Sequence, residues 1–275
     1  MNSLQLGALR LETPAVMGIL NVTPDSFSDG GRFDNLDSAR RQAERMAAEG
    51  AAIIDIGGES TRPGARGVDA QQEIDRVVPA IESVRGVCDV AVSIDTSKPE
   101  VMRAAVAAGA VMINDVRALR VEGALQTAAD LNLPVCLMHM QGEPRSMQDQ
   151  PHYDNVVTDV ASFLESRVAA CVEAGLDERL IVVDPGFGFG KTLEHNIQLL
   201  GNLRQLRARG WPMLVGVSRK SMIGQLLDIP VSQRMPASVA LAGLAVWLGA
   251  AIIRAHDVQP TVHAVKMCQA IKTTT

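Results

Sequence analysis

The stretch VMGILNVTPDSFSDGG, residues 16–31, decides the fold. It begins with an apolar run over residues 16–20, which predicts a buried strand, and the run ends at the polar Asn21. The residues that follow are rich in turn formers and predict a loop. A loop this long inside a compact domain is usually a lid, a binding loop or a disordered segment. Phe27 lies in its middle, where solvated loops rarely carry an aromatic side chain, so we expect a mobile flap over Asn21.

The same pattern, an apolar run that stops at a polar residue, occurs seven more times along the chain. The eight runs end at Asn21, Asp55, Asp95, Asn114, His139, Asp184, Ser218 with Lys220, and Arg254 with His256. Helix signals separate the runs, and none of the runs alternates cleanly between apolar and polar residues, as expected for parallel strands covered on both faces. Eight such units predict a single (β/α)8 TIM barrel domain over residues 1–275. A doubly wound open sheet is the alternative, and residues 4–11 predict a short hairpin ahead of the barrel.

Three local signals give separate expectations for the helices. A helix over residues 37–49 is expected to begin at Asp37 as its N-cap. Ser97 and Glu100 have the spacing of a capping box at the start of the helix after the third strand. The helix before that strand is expected to kink at Pro79.

Composition excludes several classes of protein. The chain is 47% hydrophobic and 21% charged, with a net charge of −5 and no run of Lys or Arg, which argues against nucleic acid or an anionic membrane as a partner. The N-terminus lacks the features of a signal peptide, and the longest apolar stretch, residues 237–255, is too interrupted for a membrane span. Four Cys without a C-x-x-C spacing indicate reduced thiols in the cytoplasm rather than a zinc site or a disulfide framework.

In a barrel, the polar strand ends lie on one face, where barrel enzymes carry their active sites. A polar residue at any single strand end can equally well mark the place where the buried segment stops, without a role in binding. For Asp55, which is flanked by two Ile residues, a buried and paired carboxylate is the better interpretation. Eight ends with both signs of charge nevertheless favour a binding site.

The charged ends divide into two groups. Arg254 and His256 are two residues apart on a strand, so their side chains face the same way and favour a site for an anion with several negative charges. Three more residues would contribute to that site: Thr61, Arg62 and Lys220. The second group predicts a site for a flat heterocycle rich in N–H donors: Asp95, Asn114 and Asp184.

Residues 190–192, Gly-Lys-Thr, look like the end of a phosphate-binding loop. That motif requires Gly at position 185, where this chain has Pro185, and proline lacks the N–H that would bind phosphate. The glycines of the segment are better explained by a close approach of the backbone and Phe189 to a flat ligand.

Eight motifs in order together resemble the dihydropteroate synthase family over essentially the whole chain. They are GILNVTPDSFSDGG (18–31), GGESTRPGA (57–65), SIDTSKPE (93–100), IND (113–115), LMHMQG (137–142), DPGFGFGK (184–191), VGVSRKS (215–221) and IIRAHDV (252–258). The resemblance implies a transferase of folate biosynthesis that joins 6-hydroxymethyl-7,8-dihydropterin diphosphate to p-aminobenzoate and releases 7,8-dihydropteroate and diphosphate. It also implies a (β/α)8 barrel, the use of Mg²⁺, inhibition by sulfonamides and a homodimer.

The resemblance also assigns site residues. The pterin would be bound by Asp95, Asn114, Met138, Asp184, Gly188, Phe189, Lys220 and Arg254. The diphosphate would be bound by Asn21, Thr61, Arg62, Arg254 and His256, with Asn21 also a ligand of Mg²⁺. p-Aminobenzoate would be surrounded by Phe27, Arg62, Pro63, Phe189, Ser218 and Lys220. The implied catalytic residues are Asp95, Lys220, Arg254 and His256.

Two other functions stay open at this point. A related pterin-binding barrel transfers a methyl group from a folate to a corrinoid, a reaction that has no use for the anion site. A non-catalytic pterin-binding protein would not need the two flaps, residues 22–36 and 60–68. We expect these flaps to be mobile without ligands and to close on the substrates. The apolar helix 237–248 is expected to be covered by a second subunit, because an outer barrel helix should carry a polar face.

The site as predicted has many groups for a leaving diphosphate and no evident base beside an attacking amine. An electron-rich dihydropterin can stabilise positive charge on its exocyclic methylene, and the Asp95 carboxylate would stabilise that cation further. We therefore expect C–O cleavage to run ahead of C–N formation, an SN1-like substitution.

Overall fold

The structure is a computed structural model that describes residues 2–23, 32–60, 67–143 and 146–272. Four residues assigned to the site by the resemblance lie outside the described residues: Phe27, Thr61, Arg62 and Pro63. Much of both predicted flaps lies outside them as well, so the expectation about flap mobility stays a prediction.

The chain begins with an antiparallel hairpin formed by β1 (Asn2–Leu6) and β2 (Leu9–Thr13). Gly7, with φ of +59°, takes the turn between them. Leu6 and Leu11 are buried against the inward-facing residues of the barrel, including Met17 and Ile53. The hairpin predicted over residues 4–11 is therefore confirmed, and it closes the amino-terminal end of the barrel.

Within the described residues, eight parallel strands follow the hairpin. They are β3 (Ala15–Asn21), β4 (Ile53–Gly57), β5 (Ala91–Asp95), β6 (Met112–Asp115), β7 (Val135–Met138), β8 (Ile181–Asp184), β9 (Leu214–Val215) and β10 (Ile252–Ala255). The strands pair in chain order, and β10 pairs with both β9 and β3. A parallel bridge between Val183 and Met213 joins β8 to the start of the β9 segment and closes the ring. The (β/α)8 barrel is thus confirmed, since an open doubly wound sheet has free edges.

Helices cover the outside of the ring. They are α1 (Arg32–Ala48), α2 (Ala70–Arg85), α3 (Pro99–Ala107), α4 (Ala124–Leu131), α5 (Val156–Glu173), α6 (Leu193–Gly201), α7 (Leu203–Arg207), α8 (Ser221–Leu227), α9 (Met235–Trp247) and α10 (Val258–Lys272). Their apolar faces pack on the outward-facing strand residues to form the largest hydrophobic core cluster. None of the helices in the described ranges is long and apolar enough to cross a membrane.

Two expectations about helix starts are wrong. Helix α1 begins at Arg32 rather than after Asp37, because Leu36 extends the buried stripe of Ala39 and Ala43 by one turn toward the N-terminus. Ser97 does not cap α3, whose N-cap is Lys98 without a side-chain hydrogen bond.

The hydroxyl of Ser97 donates instead to the buried carboxylate of Asp115 at the end of β6. That carboxylate also accepts from the backbone N–H groups of Arg117 (2.7 Å) and Leu119 (2.8 Å). A buried acceptor from a neighbouring strand therefore outcompetes the local capping interaction. In α2, Asp69 is the N-cap and accepts from the N–H of Gln72 at 2.8 Å. Pro79 lies inside α2, and the expected kink stays a prediction.

Candidate active site

The carboxyl ends of the strands bring four of the proposed site residues together with Asp55. The strand register sets Asp95 beside both Gly57 and Asn114, while Gly57 is also paired with Asn21. From β10, which lies on the other side of β3 from β4, Arg254 reaches Asp55 and Asp95. Polar strand ends therefore meet at one end of the barrel, as the sequence predicts.

Arg254 is held between two carboxylates. Its Nε donates to Asp55 Oδ2 at 2.7 Å and its Nη2 donates to Asp95 Oδ2 at 2.8 Å, while Asn114 Nδ2 donates to Asp55 Oδ2 at 2.9 Å. Burial alone would lower the pKa of Arg254, but the two carboxylates raise it above its usual range. Asp55 is thus the buried, paired carboxylate expected from its sequence context, and it fixes the plane of the guanidinium.

Asp95 differs from an ordinary surface carboxylate in its proton affinity. Burial raises its pKa to about 7, because loss of hydration outweighs the attraction of Arg254 and the charge of Asp55 adds repulsion. The group therefore titrates near neutral pH, where a small change of environment decides whether it carries a charge.

The group of residues predicted to bind a flat heterocycle is completed from β8 and the segment after it. Asp184 is buried, its Oδ1 accepts from the N–H of Gly186 at 2.7 Å, and burial raises its pKa. Lys220 Nζ lies 4.1 Å from the centroid of the Phe189 ring, a cation–π contact. Burial lowers the pKa of Lys220 to about 8. Phe189 also packs in a small apolar cluster with Met138, which is paired with Asp184 across the sheet.

Backbone angle favours glycine at two positions after β8, and at the first of them space requires it as well. Gly186 has φ of +71°, and a Cβ there would lie 1.8 Å from the carbonyl oxygen of His139. Gly188 has φ of +79°, and a Cβ there would lie 3.2 Å from Cδ of Lys220. At Gly186 the backbone thus approaches the neighbouring strand end closely, while the predicted approach of this segment to a flat ligand stays a prediction.

The group of residues predicted to bind an anion, the anion group, contains a histidine that is neutral at pH 7. Ser218 Oγ lies 3.0 Å from His256 Nδ1, and the His256 backbone N–H donates to the same Oγ at 3.2 Å. Burial, with the nearby charge of Arg254, lowers the pKa of His256 to about 4. His256 therefore offers a ring hydrogen bond to an anion, while the permanent positive charge in the described part of this group comes from Arg254.

Asn21 lies at the end of β3 next to Asp95. A Cβ built on Gly57 would lie 3.6 Å from Asn21 Oδ1 and 3.7 Å from Asp95 Oδ2, so both oxygens face the same small volume. Among the described residues, no group of three or more His, Cys, Asp or Glu side chains is arranged to hold a metal ion. The oxygens of Asn21 and Asp95 are hard donors of the kind that Mg²⁺ accepts together with water and phosphate oxygens.

Sequence reasoning missed two buried charged groups beside the site. Lys98 forms hydrogen-bonded ion pairs with Glu59 and with Glu73, which is almost fully buried on α2. Lys191 is buried beneath the segment after β8. His139 is one of the eight polar strand ends, and its side chain contacts Lys191. In the described hydrogen bonds it contacts none of the other strand-end side chains. For Lys191, the only sequence signal was its place after the glycine-rich segment. Its contacts depend on backbone geometry that the sequence does not display.

Comparison with known proteins identifies the family. Residues 17–256 match the family described as Pterin binding enzyme. The dihydropteroate synthase of Haemophilus influenzae is 54% identical over 95% of both chains, and that of Escherichia coli K12 is 51% identical over 96% of this chain and 93% of its own. A structure of the Yersinia pestis dihydropteroate synthase in a sulfonamide drug complex superposes with a TM-score of 0.94 at 52% identity, covering 99% of this chain and 100% of that one.

The Xanthomonas albilineans dihydropteroate synthase in complex with 7,8-dihydropteroate superposes with a TM-score of 0.88 at 46% identity, covering 98% of this chain and 99% of that one. Both structural matches extend over nearly the whole barrel, including the strand ends described above. The chain therefore belongs to the dihydropteroate synthase family, a family of pterin-binding transferases in folate biosynthesis.

Proposed function

We propose that the chain condenses 6-hydroxymethyl-7,8-dihydropterin diphosphate with p-aminobenzoate and releases 7,8-dihydropteroate and diphosphate. The observation that carries the proposal is the arrangement of Asp95, Asn114 and Asp184 beside Arg254 at one end of the barrel. Acceptors for a heterocycle and a cation for an anionic group are the two requirements of a pterin diphosphate. The Xanthomonas albilineans relative whose structure contains 7,8-dihydropteroate supports the same product.

Asp184 would recognise the pterin edge. Its carboxylate can accept two parallel N–H bonds from the 2-amino-pyrimidinone ring. Asp95, Asn114 and Lys220 would bind the remaining polar atoms. The walls of the slot would come from Met138, Gly188, Phe189 and Arg254.

The diphosphate and the second substrate would lie toward the anion group. Arg254 and His256 would contact the diphosphate with Asn21, Thr61 and Arg62. Ser218 and Lys220 would contact p-aminobenzoate, with Phe27, Arg62, Pro63 and Phe189 around its ring. The parts assigned to residues outside the described ranges rest on the family resemblance alone.

Mg²⁺ fits the donor set at Asn21. Its side-chain oxygen would hold the ion, and Asp95 supplies a second oxygen nearby. Bound there, the ion would neutralise charge on the leaving diphosphate. Mg²⁺ is commonly bound through one or two protein oxygens, substrate phosphates and several waters, so a larger protein cage is not required.

We infer a dissociative substitution. The C–O bond at the exocyclic methylene breaks, and its electron pair leaves with the diphosphate that Arg254 and His256 hold. The ionised Asp95 carboxylate stabilises the resulting pterin cation. The lone pair of the aromatic amine, which is neutral at pH 7, then forms the C–N bond, and the nitrogen loses a proton to the retained diphosphate. Exclusion of water protects the cation until the amine arrives.

A two-substrate assay tests the function. Diphosphate release should require both the pterin diphosphate and p-aminobenzoate, and release should stop when either is omitted. Diphosphate release from the pterin substrate alone at the full rate, or no release with both, would contradict the proposal. A folate-dependent methyl transfer to a corrinoid without diphosphate release would favour the methyltransferase alternative. Sulfonamides are expected to compete with p-aminobenzoate.

We also propose that the chain is a homodimer built on α9 and α10. Helix α9 exposes Leu244 (45%) and Trp247 (38%), and α10 exposes Met267 (64%) and Ile271 (49%), which together form an apolar face on the outside of the barrel. Burying this face against a second copy would stabilise it. Sedimentation of a monomer at micromolar concentration would contradict the dimer.

The compartment and the domain organisation are proposed on simpler grounds. Cys136 and Cys171 are buried, Cys88 and Cys268 are half-buried, and all four are free thiols. Free thiols support a reducing compartment, the cytoplasm. We further propose that residues 1–275 form one pterin-binding barrel domain.

A further inference from the structure

Lys191 is a buried cation that the proposed reaction does not use. Its side chain is only 3% exposed. Nζ donates to the carbonyl oxygens of Gly186 (2.8 Å) and Phe189 (3.1 Å) and lies 2.9 Å from Nδ1 of His139. Three acceptors match the three donors of an ammonium group. In the described part of the chain, no carboxylate lies within ion-pair distance of Lys191, so its charge is held by neutral oxygens and one imidazole.

The two carbonyls belong to a tight turn that lines the predicted pterin slot. The Phe189 N–H donates to the Gly186 oxygen at 3.1 Å, so this oxygen accepts from both the turn and Lys191. The Gly186 N–H donates to Asp184 Oδ1 at 2.7 Å, and the Gly188 N–H donates to Asn196 Oδ1 at 2.7 Å. The turn therefore directs carbonyls toward Lys191 and an N–H toward Asp184.

His139 supplies the third acceptor of the Lys191 ammonium group, on the side opposite the turn. Burial, with the charge of Lys191, lowers the pKa of His139 to about 2, so the ring is neutral and its Nδ1 accepts from Lys191. Phe163 packs edge-on against this ring at 4.9 Å between centroids. Tyr153 donates from its hydroxyl to the Gly190 oxygen at 2.6 Å and holds the far end of the turn. The acceptors of Lys191 are therefore fixed by their own contacts.

We propose that Lys191 is a positioning residue that acts as an internal cation, shaping the turn 186–189 so that Asp184 and Gly188, which are assigned to the pterin alone, are placed to bind it. The inference rests on the proposed function, because it names the pterin as the group whose site is shaped. In the described hydrogen bonds, Lys191 contacts the turn and His139 but neither Arg254 nor His256, the residues assigned to the leaving diphosphate. Its loss should therefore affect pterin binding much more than the binding of p-aminobenzoate.

The test compares Lys191→Met, a neutral side chain of similar length, with the wild type and with Lys272→Met. Lys272 is a matched control because its ammonium also donates to backbone carbonyls, those of Val246 and Trp247, but at the end of α9. At pH 6, where Lys191 is mostly protonated, loss of charge-assisted hydrogen bonds should raise the KM for the pterin diphosphate, and the Kd for 6-hydroxymethylpterin in calorimetry, on the order of 10- to 100-fold. The KM for p-aminobenzoate should change by less than about threefold, and Lys272→Met should change neither constant.

Chemical rescue separates a role of the charge from a general packing role. Lys191→Ala removes the atoms of a propylammonium ion, and added propylammonium should restore most of the lost pterin affinity. Propanol, which is neutral and of similar size, should not. Equal rescue by both, or equal effects of Lys191→Met on the two substrates, would overturn the proposal.

If neither variant folds, a measurement on the wild type decides. The ¹⁵Nζ resonance of Lys191 should shift when 6-hydroxymethylpterin binds and should not shift with p-aminobenzoate alone; any other pattern would overturn the inference. If the wild-type protein does not bind a pterin at all, the proposed function fails instead, so the two failures are distinguishable.

Discussion

Two cations, the half-buried Arg254 and the fully buried Lys191, support the two halves of the site in opposite ways. Arg254 is held by the carboxylates of Asp55 and Asp95, which keep its charge permanent. Lys191 is held by two carbonyl oxygens and an imidazole, and burial lowers its pKa to about 7 although Asp184 attracts it. A cation held by carboxylates is locked in the charged state, whereas a cation held by neutral acceptors becomes sensitive to pH near neutrality.

The largest effect is expected from Arg254→Met, which removes the cation that is held by carboxylates. The change leaves the carboxylates of Asp55 and Asp95 buried without their partner, so the free energy of unfolding should fall by about 3–5 kcal/mol and activity should be lost. Urea unfolding at pH 7.5 measures the loss. Arg219→Met is the matched control, because Arg219 pairs with Asp257 at a more exposed site and should cost at most about 1 kcal/mol. Equal costs for the two variants would contradict the assigned difference.

The next largest effect is expected from Asp184→Asn, which alters the carboxylate that attracts Lys191. The amide presents a donor where the pterin edge also presents a donor, so a buried pair of groups is left unsatisfied. Pterin affinity should weaken by on the order of 2–4 kcal/mol in calorimetry. Asp177→Asn, on an exposed residue, should have no effect. Unchanged pterin affinity would remove Asp184 from the site.

A pH profile tests the carboxylate side of the Arg254 network. Asp95 must be ionised to stabilise a pterin cation, and burial raises its pKa to about 7. The value of kcat/KM should therefore rise by up to about tenfold per pH unit as pH increases toward 7, whereas above pH 7 the loss of protons from Lys191 and Lys220 should lower it. Asp95→Asn should have low activity without this acidic limb. A wild-type profile that is flat from about pH 5.5 to 7.5 would refute the role, provided that circular dichroism shows folded protein throughout.

The last effect concerns stability at alkaline pH, where the change builds up gradually over about three pH units. Lys191 has a folded pKa near 7 and an unfolded pKa near 10.4, so the unfolded chain binds more protons between these values. The contribution of Lys191 to stability therefore rises as pH increases from about 7 to 10, with a slope of at most about 1.4 kcal/mol per pH unit. Comparing urea unfolding of the wild type and Lys191→Met across this range isolates the slope. Arg254 stays charged throughout and should add no such slope.

The sequence predicted the ring of strands and most strand ends because parallel buried strands are continuous apolar runs that stop where the barrel opens. It also predicted that Asp55 is paired, since a carboxylate between two Ile residues needs a partner. It did not identify that partner, Arg254, which lies 199 residues away. Local sequence reports that a charge needs a partner, but only the closed ring determines which residue supplies it.

Two misses have a similar physical origin. Ser97 was expected to cap a helix, but Asp115 from the next strand competes for its hydroxyl. Lys191 was considered only as part of a phosphate loop, because its true acceptors are carbonyls turned inward by glycines at positive φ and a His139 ring 52 residues away. Every residue has a backbone carbonyl, so the sequence does not show which carbonyls converge on one ammonium group.

The barrel ring has its shortest pairing where β8 meets the β9 segment, with the described residues forming one parallel bridge between Val183 and Met213. Asp184 follows that bridge directly, and Arg254 lies beyond it on β10. A pterin diphosphate bound to both residues would add non-covalent links across this joint, so part of its binding free energy would appear as stability of the ring itself. The bound substrate would therefore stabilise the closed ring as a part of its wall would. Each product release would leave this joint with only its own backbone pairing.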